Sequence, residues 1–344
     1  MQPVMSPRAV VVQRAVVYDG RKVAALPRPE QAPGPGEVLV RTLRVGVTPA
    51  DLQVAEACLK FRGVLGHEFV GVVEKAADGA GAPWVGRRVV GSPVVSCGVC
   101  ERCKAGLSAH CADRRVLGLH DRDGCWADRF VIPAANLVEV PKAMVDDAAL
   151  LSGVAGTALH AARATRIEGK TYVSIIGDNA LALIAVQVFA KLNTSVRVLG
   201  FEPARFAICD RWRLKHRHAD EVGRRQDQDV VFECSGTARG AELATRLVRP
   251  RGRVLLASLS PGVPRQALPE TGPVLDAVAI AAGEIEIVGV GRGSVRDGLD
   301  SLARGQVDTS GLVTRRGVMF DPAAAFELAR EPGCVRLSVE EPRR

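Results

Sequence analysis

Four cysteines stand close enough along the chain to hold one metal ion. Cys97, Cys100, Cys103 and Cys111 lie in CGVCERCKAGLSAHC, with two residues between each of the first three and seven before the last. Four thiolates complete a tetrahedron around Zn²⁺, and short turns between ligands let a loop wrap the ion without strain. A closed Cys₄ site leaves no coordination position open, so it stabilises a lobe and does no chemistry. The other five cysteines, Cys58, Cys125, Cys209, Cys234 and Cys334, are far apart. That distribution suggests a metal site rather than a disulfide framework.

The elements that must position this loop change style along the chain. The first part breaks into short β-rich pieces, RAVVYDG, VLVRTLRVGV and GHEFVGVVEKAADGAGAPWVGRRVVG, punctuated by Gly and Pro. Such a pattern predicts a small barrel-like β domain. After about residue 150, apolar strand-like runs alternate with helical stretches, with strands at 171–177, 195–201, 229–236, 252–258 and 284–291. The segments 181–192 and 240–248 have the length and apolar spacing of crossover helices. The fold class is therefore α/β, a doubly wound parallel sheet of Rossmann type beside a β-rich domain. Past residue 292 the rhythm loosens, and the tail is expected to pack back onto the first domain. The division is 1–154 with a metal lobe at about 92–115, then 155–291, then 292–344.

Composition narrows the function. A chain of 344 residues fits two domains. At 47% hydrophobic and 24% charged it is an ordinary globular sequence. No stretch approaches the roughly 18 apolar residues of a membrane span, and the start lacks a signal peptide's apolar core, so a soluble cytoplasmic protein is expected. The net charge of +8 is scattered. Its one dense cluster, RWRLKHRH at 211–218, reads as a solvated, Arg-rich helix face. With 4% aromatics there is no stacking platform, and no nucleic-acid partner is expected.

The cysteine loop, GVLGHEFVGVV at 63–73, the entry PGPGEVLVRTLRVGV and the Rossmann segment together resemble the zinc-containing medium-chain alcohol dehydrogenases over nearly the whole chain. The resemblance implies a GroES-like catalytic domain, a nucleotide domain, an active cleft between them, and a homodimer or homotetramer. In that family a Cys in a CGTD-like motif, the His of GHE and a later Cys, Glu or Asp hold a catalytic zinc. Here the first motif reads Thr48-Pro49-Ala50-Asp51, so a hydroxyl replaces the thiolate and Ala50 replaces the proton-relay hydroxyl. His67, Glu68 and Asp51 remain, and Asp51 is the family's partner for orienting the histidine. The third ligand's region places Ser152 or Gly153 there. Two neutral hydroxyls do not replace anionic ligands, so tight catalytic zinc is not expected.

The family's phosphate loop reads Gly177-Asp178-Asn179-Ala180-Leu181-Ala182, keeping only the first glycine of GxGxxG. Asn179 obstructs the approach to a pyrophosphate, Ala182 crowds helix against strand, and Asp178 adds a like charge unless it points away. Glu202, twenty-five residues after Gly177, stands where the family keeps an acid for the ribose hydroxyls. It is either that acid, favouring NAD over NADP, or a solvated strand end. Arg205 softens the preference. Cys234 ends a strand where relatives pass the cofactor.

Two functions follow. One is an NAD(P)-dependent oxidoreductase acting on a small alcohol or carbonyl without catalytic zinc, with Thr48, His67 or Ser152 as the available hydrogen-bond donors. The other is a pseudoenzyme that keeps the fold and its structural zinc as a binding scaffold.

Overall fold

In the long strand Glu37–Val47, the backbone carries irregularities between Leu39 and Val40 and between Thr42 and Arg44 of its partner register. Such bulges bend a strand and raise its twist. Glu37–Val47 accordingly serves three antiparallel partners, Phe69–Ala76, Arg129–Pro133 and Arg336–Glu340. The seven-stranded sheet runs Leu137–Glu139, Arg88–Gly91, Phe69–Ala76, Glu37–Val47, Arg336–Glu340, Val313–Val318, with Arg129–Pro133 off that path. Trp126, fully buried beneath it, donates its indole N–H to the carbonyl of Met319 and meets Phe326 edge-on at 5.8 Å. These contacts tie the early and late parts of the chain into one core. The computed structural model describes residues 11–165, 167, 171–192, 194–223, 225–257, 263–268 and 275–342.

The second sheet is wholly parallel, in the order His216–His218, Thr194–Gly200, Thr171–Ile176, Gln228–Glu233, Val248–Ala257, Glu286–Val290. Numbered along the chain this is 3-2-1-4-5-6, the doubly wound order. Its central strands bury both faces, as Val173, Ile175, Val231 and Phe232 attest. The helix Ala180–Ala190 buries eight of its eleven residues. A helix apolar all round belongs inside, and each large side chain sunk there contributes roughly 1.5–3 kcal/mol.

The α/β class and the five predicted strands are all present, with shifted ends. Val248–Ala257 starts four residues ahead of 252, and Ser258 lies outside the described residues. The cluster 211–218 is a correction. The helix Phe206–Arg211 stops there, and His216–His218 forms a sixth strand rather than part of a solvated helix face. An edge strand with one free side needs no apolar alternation, so His-Arg-His gave no strand signal. Among the described residues no helix is long and apolar enough to cross a membrane.

Glycines set the contact between the helices Ser152–Arg163 and Val295–Ala303. A Cβ on Gly156 would stand 2.1 Å from the carbonyl oxygen of Ser294, and one on Gly298 would stand 1.9 Å from that of Ser152. No side chain fits such gaps. The approach lays the loop 291–294 across the start of the first helix, where Gly293 donates its N–H to the Thr157 hydroxyl at 3.3 Å.

Candidate active site and zinc lobe

The cysteine loop closes on itself. The sulfur separations are 3.5 Å for Cys100–Cys103 and Cys97–Cys111, 3.8 Å for Cys100–Cys111 and 4.0 Å for Cys97–Cys103. Zn–S bonds of about 2.3 Å in a tetrahedron require sulfur edges of about 3.8 Å. The four sulfurs therefore fit a zinc ion as they stand. Backbone N–H groups of Cys103 and Ala112 pull the Cys100 thiol down to about 6, whereas desolvation and the neighbouring thiols push Cys103 up to about 11. Among the described residues this is the one group of three or more His, Cys, Asp or Glu whose ligand atoms lie within 4.8 Å of one another. All nine cysteines are free.

The second site lies where the two sheets meet, outside the carboxyl ends of the strands Thr171–Ile176 and Gln228–Glu233. The strand order reverses there, which is the ligand crevice of open α/β sheets. The cleft has an open volume of about 100 Å³, and Thr48, His67 and Glu68 face Asn179, Leu181 and Cys234 across it.

Local sequence explains Thr48. Thr48-Pro49-Ala50-Asp51 is a capping box that starts the helix Pro49–Ala55, with Pro at its first position. Oδ2 of Asp51 accepts the Thr48 N–H at 2.9 Å and the Thr48 hydroxyl at 2.7 Å. The hydroxyl proton is thus committed to Asp51. The other carboxylate oxygen stands 3.5 Å from Nδ1 of His67, both residues being buried. That is long for a hydrogen bond, so the contact is chiefly electrostatic. Burial pushes the Asp51 carboxyl up, but His67 and Thr48 more than offset this and hold it below its usual value.

Glu68 meets a cation. Nη1 of Arg336, at the head of the strand Arg336–Glu340, lies 3.2 Å from Oε2 of Glu68, within ion-pair reach but misaligned for a hydrogen bond. Arg292, from the loop that glycines press onto the helix Ser152–Arg163, also lines the cleft. A Cβ on Gly153 would stand 3.1 Å from its Nη1. The guanidinium therefore occupies the space that a side chain at 153 would enter. Desolvation pulls the Arg292 pKa down, against the pull of Glu68. Ser152 is buried and is not among the cleft's lining residues, whereas Gly153 is.

At the nucleotide end, Gly177 has a φ of +126°, open to glycine alone, and a Cβ there would press on the backbone N–H of Ser235 at 3.1 Å. Asn179 is the N-cap of the helix Ala180–Ala190. Its Oδ1 accepts the N–H of Ala182 at 3.1 Å, and its Nδ2 donates to the carbonyl of Cys234 at 2.8 Å. Ala182 is fully buried in that helix. Asp178 accepts N–H groups of Phe201 and Glu202 at 2.6 and 2.8 Å and pairs with Arg205 at 2.6 Å. Its charge is neutralised against the neighbouring strand end, and Arg205 is engaged by it. Glu202 caps the short turn after its strand by accepting the N–H of Ala204 at 3.1 Å. The Cys234 thiol is buried and donates to the carbonyl of Ile176, and burial raises its pKa well above normal.

The structure thus brings Thr48, His67, Glu68, Asn179 and Cys234 to one cleft, with Asp51 beneath. It leaves Ser152 out and sets Glu202 and Arg205 beyond Asp178. Sequence reading missed Arg292, Arg336 and the buried Glu233, which accepts N–H groups of Ser235 and Gly236 to shape the strand exit. The glycines around Arg292 in GVGRGS were a signal of close backbone approach, and lone arginines carry none.

Comparison with known proteins agrees with this architecture. Residues 34–142 match the alcohol dehydrogenase GroES-like domain. The chain is 30% identical over 279 residues to the L-threonine 3-dehydrogenase of Pyrococcus horikoshii, covering 75% of this chain and 78% of that one. A thermostable alcohol dehydrogenase from Pyrobaculum aerophilum, with cobalt and zinc bound, superposes with a TM-score of 0.82 at 25% identity, over 96% of this chain and 100% of that one. A short chain alcohol dehydrogenase from E. coli CFT073, complexed with NADH, has a TM-score of 0.83 at 21% identity, over 96% and 99% of the two chains, and speaks to the fold alone.

Proposed function

The chain belongs to the zinc-type medium-chain dehydrogenases of the alcohol dehydrogenase family, and on that premise we propose that it is an NAD(P)-dependent oxidoreductase acting on a small alcohol or carbonyl substrate. One observation carries the reading: polar residues of the β-rich part face the switch point of a doubly wound sheet across a single cleft.

A dinucleotide fits the nucleotide end. Gly177 leaves room at the strand exit, the helix Ala180–Ala190 turns its N-terminus to the cleft, and Glu202 stands at the next strand end for ribose hydroxyls. Glu202 favours NAD over NADP, because Arg205 is already paired with Asp178. When bound, the nicotinamide supplies or accepts the hydride. The chain's own residues orient the substrate and move the proton. Asp51 holds His67 through Nδ1, leaving Nε2 to exchange a proton with the substrate oxygen.

The residues in the cleft do not fit a catalytic zinc. Thr48 donates its proton to Asp51, Glu68 is paired with Arg336, and Arg292 occupies the space beside Gly153. One zinc per chain, at Cys97, Cys100, Cys103 and Cys111, is the expected content. The reading assigns 1–154 and 292–344 to the catalytic part and 155–291 to the nucleotide part. The pairing of Arg336–Glu340 with Glu37–Val47 supports this division. A homodimer or homotetramer in a reducing cytoplasm accords with the place of Glu286–Val290 at the edge of the sheet among the described residues and with the nine free cysteines.

A specific observation favours the scaffold alternative. The Asn179 side chain satisfies one of the helix N–H groups on which a pyrophosphate would rest. Titration with NADH and NADPH, followed by nicotinamide fluorescence, separates the two readings when zinc per chain is counted in parallel. Saturable NADH binding with one zinc supports a dehydrogenase without catalytic zinc, and binding with two zincs overturns the loss of the catalytic metal. No binding of either nucleotide overturns the dehydrogenase and leaves the scaffold.

A further inference from the structure

The places where the family holds its catalytic metal meet in the cleft, at Thr48, His67 and Gly153. His67 offers Nε2, but the Thr48 hydroxyl gives its proton to Asp51, and position 153 has no side chain. Beside Gly153 stands a guanidinium instead, since a Cβ there would lie 3.1 Å from Nη1 of Arg292. The backbone that carries it has no latitude. A Cβ on Gly293 would stand 1.9 Å from the carbonyl oxygen of Gly156, and Gly293 donates its N–H to Thr157. Among the described residues no hydrogen bond or ion pair engages the Arg292 side chain, and its Nε is buried. A guanidinium has five N–H donors in a fixed fork, and this one keeps them for something that enters the cleft.

We infer that Arg292 stands in for the catalytic metal, its guanidinium filling the place beside Thr48, His67 and Gly153 and meeting the substrate oxygen there. The role rests on the dehydrogenase reading, whereas the place does not. The carboxylates of Asp51 and Glu68 are as many as the guanidiniums of Arg292 and Arg336, so the cleft asks no charge of its ligand. That suits a neutral alcohol or carbonyl compound, whose oxygen turns negative only as the reaction proceeds. Donors fixed beforehand at that point lower the barrier, because they bind the transition state more tightly than the substrate. In oxidation the carbinol C–H bond breaks with its electron pair passing to the nicotinamide of NAD⁺. The O–H proton passes to Nε2 of His67, and the C–O bond becomes a carbonyl. Arg292 keeps its protons throughout and stabilises the transient charge on oxygen.

Two measurements on the full-length, zinc-loaded chain test place and role separately. For the place, zinc per chain is counted in Thr48→Cys/Gly153→Cys with Arg292 kept, and again with Arg292→Ala added, while thermal melting reports the fold. One zinc with Arg292 kept and two with it removed are expected, because the cysteines and His67 then complete a ligand set in the vacated space. Two zincs with Arg292 kept, or one in a folded triple variant, overturns the place. For the role, reduction of acetaldehyde, acetone and cyclopentanone by saturating NADH is followed by nicotinamide absorbance. Arg292→Gln should lower kcat about 10²–10³-fold on the best of these and leave NADH affinity unchanged. Arg292→Lys should fall between, because it keeps the charge and loses the fork. An unchanged kcat, or no turnover of any probe by a chain that binds NADH, overturns the role. A fall in NADH affinity as large as the fall in kcat overturns it in favour of a cofactor contact. If the triple variant does not fold, these rates decide alone. A chain that binds no NADH ends the dehydrogenase reading and the role with it, yet the zinc counts still decide the place.

Discussion

The cysteine lobe and the cleft contain the same kinds of metal-loving side chain, arranged to opposite ends. In the lobe four sulfurs converge on one point at the edge length a tetrahedral zinc needs, and backbone N–H groups stabilise a thiolate among them. In the cleft the histidine and carboxylates turn to protein partners: Asp51 to Thr48 and His67, and Glu68 to Arg336. A ligand set is therefore defined by whether its donors are left free by their surroundings, and residue type alone does not decide it.

The largest effect should come from the lobe. Cys103→Ser should remove the zinc and cost about 4 kcal/mol or more, since metal binding is folding energy in such lobes. Zinc analysis and thermal melting check this, and a folded variant that keeps its zinc would break the comparison. His67→Ala should cost about 3 kcal/mol by leaving the buried Asp51 carboxylate with Thr48 as its partner and no facing imidazole, with zinc per chain unchanged. A fall in zinc content would instead place a metal in the cleft.

The same pair gives a pH dependence. The folded Asp51 pKa lies below the unfolded value of about 3.9, so its contribution is complete above that value and is lost as pH falls through the folded one. Urea titrations in that acid range should show a shallower loss for Asp51→Asn than for the wild type. Thr48→Ala removes the cap of Pro49–Ala55 and should cost about 1 kcal/mol in the same assay. Asn179→Gly should cost no more than about 1 kcal/mol, because glycine is tolerated at an N-cap and the main loss is the hydrogen bond to the Cys234 carbonyl. It frees the N–H of Ala182, and NADH affinity should rise several-fold. An unchanged affinity would show that the cap does not compete with a dinucleotide.

Much of this could be read in the chain beforehand. The lobe was legible because its ligands are neighbours in sequence, so spacing nearly determines geometry. The parallel strands were legible because burial on both faces writes continuous apolar runs. The capping box in Thr48-Pro49-Ala50-Asp51 was also legible as a local pattern, but the residues were read only against the zinc ligands they replace. His216–His218 was not, since a short edge strand lacks an apolar signature.

The sequence by itself determined the Cys₄ lobe, the doubly wound sheet and the local capping pattern at Thr48. Only the tertiary structure decided that Arg292 and Arg336 share the cleft with Glu68, that Ser152 turns away from it, and that Asp178 is neutralised by Arg205. The physical reason is range. Spacing, capping and periodicity act over a few residues. Arg336 and Glu68, by contrast, lie 268 positions apart by their numbers (336 less 68), and meet because the late strand Arg336–Glu340 pairs with Glu37–Val47 and glycine contacts press the loop of Arg292 onto Gly153.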